Sequence, residues 1–303
     1  MSRYSFVLLA YNQEDTIAEA LDGAFAQEGP EIELFLSDDC SSDRTFRIMQ
    51  EKATAYDGPH RIVLNRNDQN LGVNRHINLS IRRSSGEAII AASGDDISFP
   101  HRSLKCAEAF EAGAKLVHSH AIVETKEGDP ARYPYENALF FQSTQPIDAA
   151  TAKALYLGAT CAWHKSLYEK YGPVPEGPAF EDLILGFRAS LEHGVAFVDE
   201  PLVRYRVGTG LSNSKRPQGN DARKARQLEL QREIATLNQR LRDCDTYGRA
   251  QLPEVVDRIE RRILDVEKRY SVATSGAIRT LVQQPGISAL RAVVAEANSR
   301  RKL

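Results

Sequence analysis

The 303-residue sequence is 42% hydrophobic and 26% charged, with a formal net charge of −2, proportions expected of an ordinary soluble globular protein. They exclude a disordered chain, a collagen-like repeat and a disulfide scaffold, and no apolar run approaches the ~20 residues of a membrane span. The near-neutral total conceals a division: residues 1–214 hold 20 Lys and Arg against 30 Asp and Glu, and residues 215–303 hold 19 against 11.

After Met1-Ser2-Arg3 the chain enters the apolar run Tyr4–Ala10, an expected strand with no signal peptide before it. Ile17, Ala20, Leu21, Ala24 and Phe25 then follow helical spacing. Ile32–Ser37 reads as a second strand, and Phe46, Ile48, Met49 and Ala53 mark a second helix. Arg61–Asn65 and Glu87–Ala92 read as strands, Val73–Ile81 and Leu104–Phe110 as helices. This alternation predicts an α/β fold with a mostly parallel sheet and helices on both faces, its ligand outside the carboxyl ends of the strands.

Gly128, Pro130, Pro134 and Pro146 interrupt residues 126–160. Phe180-Glu181-Asp182 opens an expected amphipathic helix through Leu183, Leu185, Phe187 and Leu191, and two strands are expected at Val195–Val198 and Leu202–Val207. Residues 208–219 have the composition of a loop, lid or linker. Beyond Asn220, Leu230, Ile234, Leu237, Leu241 and Cys244 fall at a 4-3-4-3 spacing, which Leu252, Val256, Ile259, Ile263, Val266 and Tyr270 repeat. Two helices joined at Tyr247-Gly248 are expected, with further short helices near Pro285-Gly286. Cys40, Cys106, Cys161 and Cys244 form no CxxC pair and suit free thiols in a reducing cytoplasm.

Polar residues gather after each expected strand: Tyr11-Asn12-Gln13-Glu14, Asp38–Asp43, Asn65–Asn67 with Asn70-Leu71-Gly72, and Ser93-Gly94-Asp95-Asp96. Asp95 and Asp96 offer hard oxygen ligands for Mg²⁺ or Mn²⁺, with small neighbours leaving room for a phosphate. Asp also favours turns and helix caps, so each carboxylate has a structural alternative. Asp39 is assigned a ligand role and Asp43 the cap. His118 and His120 share a strand face without a visible third metal ligand.

Leu9-Ala10-Tyr11-Asn12, Ser37–Thr45, Asn70-Leu71-Gly72 and Gly94–Pro100 occur in this order at suitable spacing. Together they resemble the family 2 glycosyltransferases of GT-A fold, enzymes that use nucleotide-diphospho-sugars; the resemblance covers residues 3–207. It implies that Asp95 holds the metal, as the last carboxylate of a DXD motif in which Ser93 replaces the first. It also implies a donor site of Ala10, Tyr11, Asn12, Glu14, Asp39, Asn70, Gly72, Arg75, Asp95 and Asp96. Gly158-Ala159-Thr160 and Phe180–Leu183 with Arg188 resemble the acceptor half, where Asp182 matches the catalytic base. The histidine common late in such domains is absent; Arg206, or a lid at 208–219, is the expected replacement.

The expected organisation is a transferase domain at 1–214, divided into a nucleotide-sugar half (1–125) and an acceptor half (126–214), with a helical region at 215–303. The expected activity is metal-dependent inverting transfer to a bacterial surface glycan or lipid-linked glycan. A nucleotidyltransferase and a non-catalytic scaffold are the alternatives. The basic helical region suits packing on the domain, a homo-oligomer, or an anionic membrane surface on the cytoplasmic side. Nucleic acid is not an expected partner, because the arginines alternate with acids and lack interleaved aromatics.

Overall fold

A computed structural model describes residues 3–124, 130–132, 138–207, 219–275 and 286–301. The first strands are β1 (Tyr4–Ala10), β2 (Glu33–Asp38), β3 (Arg61–Arg66) and β4 (Ala88–Ser93), alternating with helices α1 (Ile17–Phe25), α2 (Thr45–Ala55) and α3 (Val73–Arg83). They pair in parallel in the order β3-β2-β1-β4, with Ala10, Asp38 and Arg66 in line at the carboxyl edge. Further along come β5 (Ile97–Ser98), α4 (Arg102–Glu111), β6 (Leu116–Glu124), β7 (Pro130–Arg132), α5 (Pro146–Ala149), β8 (Ala162–His164), α6 (Ser166–Tyr171), α7 (Glu181–Leu191) and β9 (Val195–Arg206).

Beyond β4 the sheet is mixed. β8 joins β4 and β6 antiparallel, β6 and β9 pair in parallel, and β5 and β7 add antiparallel edges to β9 and β6. The two strands expected at 195–207 are one strand, bent where its register against β6 shifts beside His120. That bend is a bulge, which re-aims a strand without ending it.

Two-residue alternation divides the core. Phe6 and Leu8, Leu34 and Leu36, and Ile90 pack on one face with α1, α2 and α4; Val7, Phe35 and Ile89 pack on the other with α3 and α7. The second face also receives Leu230, Leu237 and Cys244 of α8 (Gly219–Tyr247) and Val256, Ile259, Ile263 and Val266 of α9 (Pro253–Ser275). The heptad pair therefore completes this core instead of standing apart from it.

This packing corrects the reading of α7 as amphipathic. Leu183 through Leu191, including Arg188 and Ser190, are all buried. Arg188 donates Nε and Nη2 to the Asp243 carboxylate at 3.0 and 3.1 Å, and Nη1 to Gly172 O at 2.8 Å, so α8 covers the polar side of α7. Of the short helices expected around Pro285-Gly286, one helix is described, α10 (Ile287–Arg301); residues 276–285 lie outside the described residues. No described helix is long and apolar enough to cross a membrane.

Candidate active site

The carboxyl ends of β1 and β2 are joined by polar cross-links. Asn12, in the left-handed region at φ 50°, donates its amide to Ser41 Oγ and accepts from Ser42 N at 2.9 Å. Glu14 accepts from the Arg44 amide and guanidinium, and Asp43 accepts from the amides of Thr45 and Glu14. The cap position of α2 falls on Arg44 and not on Asp43, which braces the start of the helix from one residue outside it. Ala10 is buried, with its carbonyl accepting from Asp39 N at 2.9 Å. Tyr11 is 39% exposed above these residues, an aromatic face open to a planar ligand.

Asp39 is buried and accepts from Asn67 Nδ2, Leu71 N and Gly72 N at 2.8–2.9 Å. Gly72 also donates to Asn70 Oδ1, and its φ of 74° provides the turn into α3. Asp39, Asn70 and Gly72 are therefore one unit, with the carboxylate anchoring the loop that enters the helix. His76 had no signal in the sequence reading; its Nε2 lies 2.6 Å from Ser37 Oγ, and burial pushes its pKa down despite Asp39 and Asp38. Arg75 lies apart, its Nε 3.4 Å from Glu176.

The third group follows β4. Ser93 Oγ hydrogen-bonds Asp95 Oδ1, so the residue in place of the first DXD carboxylate orients the last one. Asp96 accepts from Arg206 N at 3.0 Å, while the Arg206 guanidinium reaches Asp95 O at 3.3 Å and pairs with Glu19 and Glu124. Burial first, and then the charge of Asp95, pushes the Asp96 carboxyl up to about 7. Gly94 makes no room for a ligand, contrary to expectation: a Cβ there would stand 2.5 Å from Gln13 Oε1 and 3.2 Å from Ala10 Cβ. Its smallness lets β4 close against β1.

Among the described residues, no three His, Cys, Asp or Glu side chains are placed to hold a metal together. The hard oxygens of Asp95 and Ser93 nonetheless fit Mg²⁺ or Mn²⁺, which commonly bind through one or two carboxylates plus substrate phosphates. His118 and His120 share a face of β6, but His118 is enclosed by Phe140, Phe141, Tyr156 and Phe197, and burial pushes its pKa to about 3. These rings suit packing better than metal binding.

Asp182 occupies the first turn of α7, where it accepts from Leu183 N at 2.8 Å. Burial raises its pKa, and burial with the Asp182 charge raises that of Glu181. Facing it is the turn Gly158–Thr160, where a Cβ on Gly158 would lie 3.8 Å from Asp182 Oδ2. The buried Arg102 donates to Ala159 O and Cys161 O of this turn and to Ala91 O of β4. The turn thus connects Asp182 to the strand that leads to Asp95. Asp182 also lines a cavity of about 300 Å³ against α8. Of the expected lid at 208–219, residues 208–218 lie outside the described residues and Gly219 begins α8.

Residues 5–172 match the family model described as glycosyl transferase family 2. The succinoglycan biosynthesis protein ExoO of Rhizobium meliloti is 34% identical over 129 residues, 42% of this chain and 36% of that protein. Such matches span about a third of the length of these curated relatives. The structure of Staphylococcus aureus TarS 1–349 in complex with UDP-GlcNAc superposes with a TM-score of 0.58 at 19% identity, over 97% of this chain and 79% of that one. A mannosyltransferase from Pyrobaculum calidifontis in complex with GDP-Man and Mn²⁺ gives 0.56 at 16% identity, over 98% and 80%. At these identities the likeness concerns the fold.

Proposed function

The chain belongs to glycosyltransferase family 2, and from that premise we propose that it moves a sugar, with inversion, from a nucleotide-diphospho-sugar to a hydroxyl of a bacterial surface or lipid-linked glycan. Family membership sets aside the nucleotidyltransferase alternative. The observation that carries the reading is the turn at 158–161, which bonds to β4 through Arg102 and faces Asp182. This link between the half-buried Asp182 and the strand that leads to Asp95 supports the reading of Asp182 as the base.

In this reading Asp182 removes the proton from the acceptor hydroxyl as its oxygen attacks the anomeric carbon and the bond to the diphosphate breaks. Asp95, oriented by Ser93, would hold a divalent cation, which would supply charge neutralisation for the departing diphosphate. Tyr11 stacks on the base of the nucleotide, with Asn12, Glu14 and Asp39 beside it and the backbone of Ala10, Asn70 and Gly72 shaping the floor. Arg206 fixes the Asp95–Asp96 loop through its amide and guanidinium. The Mn²⁺ in the complex of the Pyrobaculum calidifontis mannosyltransferase supports the metal by analogy.

Titration with nucleoside diphosphates, with and without Mn²⁺, followed by thermal melting, tests the donor site. Metal-dependent stabilisation by at least one of them is expected, and Asp95→Ala should reduce that increment at least tenfold in apparent affinity. Failure of every nucleoside diphosphate to stabilise the wild type would leave the scaffold reading in place.

We also propose a peripheral position on the inner face of the cell membrane. α10 presents Ile287, Leu290 and Val294, each more than half exposed, from the basic part of the sequence. That combination suits an anionic lipid surface. The wild type should co-sediment with vesicles containing phosphatidylglycerol, and Leu290→Glu combined with Val294→Glu should stay in the supernatant. Equal sedimentation of the two proteins would remove α10 from this role, and a change in oligomeric state would assign the stripe to a second copy.

A further inference from the structure

We infer that the cavity between the start of α7 and α8 is the acceptor subsite, and that it takes one neutral, hydroxyl-rich sugar ring. The inference deepens the transferase reading and rests on it. The cavity, about 300 Å³, has Asp182 on one wall and residues 229–240 of α8 on the other. That volume is at the small end for ligand pockets and suits a single ring better than an extended chain.

The lining defines the ligand chemistry. Phe180 and Leu183 provide an apolar wall suited to the C–H face of a pyranose. The cations are already engaged: Lys153 Nζ lies 2.7 Å from Glu233 Oε2, and Arg240 donates its two terminal nitrogens to the carbonyls of Ala150, Ala152 and Leu183 at 3.0–3.2 Å. With Asp182, Glu229 and Glu233 against Lys153 and Arg240, the wall has no excess of positive charge for a phosphate. Arg240 is 1% exposed, yet its Nε has no hydrogen-bond partner among the described residues. A buried donor of this kind is costly unless something accepts from it, and a sugar oxygen would. Thr236 Oγ1 accepts from Phe180 N at 2.9 Å, which leaves its hydroxyl proton for a second partner.

The arrangement assigns α8 a part in substrate selection. Of the lining residues, Thr151, Ala152 and Lys153 lie within the family match, whereas Phe180, Asp182 and Leu183 of the α7 wall and Thr236 and Arg240 of α8 lie beyond residue 172, where it ends. Acceptor preference would then differ among relatives that share the donor motifs but carry other C-terminal helices.

Saturation-transfer NMR on the full chain, with the methyl pyranosides of glucose, galactose, mannose and N-acetylglucosamine as probes, tests the inference. At least one probe should receive saturation on its ring protons. Ala152→Trp, which fills the cavity, and Glu229→Trp at its rim should each reduce the signal at least fivefold, with folding checked by circular dichroism melts. No signal from any probe on the wild type, or undiminished signal in both folded variants, overturns the subsite. The base reading fails separately: Asp182→Asn with full turnover, while the cavity variants still lose the probes, removes the base and keeps the subsite.

Discussion

Replacement of Asp182 by Asn is expected to reduce sugar transfer by roughly 10² to 10⁴-fold, the range general-base catalysis contributes, with nucleoside diphosphate and Mn²⁺ still bound. Asn keeps the volume and an acceptor for the Leu183 amide, so α7 retains the hydrogen bond that fixes the side chain. What is lost is the ability to take a proton. The wild-type pH profile provides a second reading of the same group. Burial raises the pKa of Asp182 and of Glu181 beside it, so protonation is favoured at a higher pH than for an ordinary carboxyl. Transfer should therefore be present above the titration of the pair and be lost as pH falls through it, with the midpoint above the usual carboxylate range. Glu181→Gln removes one charge of the pair and should move that midpoint downward. The measurement is nucleoside diphosphate release from the best nucleotide-sugar of a panel, with bacterial lipid extract as the acceptor source. Unchanged turnover in Asp182→Asn would transfer the proton-accepting role elsewhere.

Apart from the two-residue β5, which the sequence reading did not anticipate, the strands and helices of residues 4–111 were legible because the strands alternate their neighbours between two cores and each helix follows with a clear apolar spacing. The positions of Asp39 and Asp95 were legible for the same reason, since polar residues at the carboxyl ends of parallel strands mark the ligand edge. Other features depend on contacts remote in sequence. Arg206 reaches Glu19, 187 residues away, and Asp95, 111 away, which no local pattern encodes. Gly94 was read as space for a ligand, but that space belongs to Gln13 and Ala10. α7 looked amphipathic because Arg188 and Ser190 are polar, whereas their partners are the chain itself. The cavity beside Asp182 was invisible for a related reason: it forms only when α8 lies across α7, and the heptad spacing of α8 announced a helix without naming what it would cover.

Arg188→Met is expected to destabilise the protein by ~3–5 kcal/mol, the cost of leaving one member of a buried ion pair unpartnered. Arg188 and Asp243 are both buried, and Asp243 also accepts from Gln239 Nε2 at 2.8 Å. Without the guanidinium, the Asp243 carboxylate retains that one amide, and the carbonyls of Gly172 and Tyr171 lose their donor. Burial already raises the Asp243 pKa against the pull of Arg188, so the carboxyl in the variant should become neutral before it unfolds the helix pair. Asp243→Leu alone should be at least as damaging, because a guanidinium cannot shed its proton in this way. The double variant Arg188→Met with Asp243→Leu should recover part of the loss, since an apolar pair requires no counter-charge, but the two carbonyls of the 171–172 turn keep the recovery incomplete. Urea denaturation of the three variants measures these differences as midpoints at a common slope. The same contacts bear on the boundary expected near residue 214. A fragment ending there would expose Leu183, Phe187 and the Arg188 charge at once, and it should not give a cooperative transition. A cooperative melt from residues 1–214 alone, or additive losses in the double variant, would show that α8 is an independent appendage and that the ion pair contributes little to holding it.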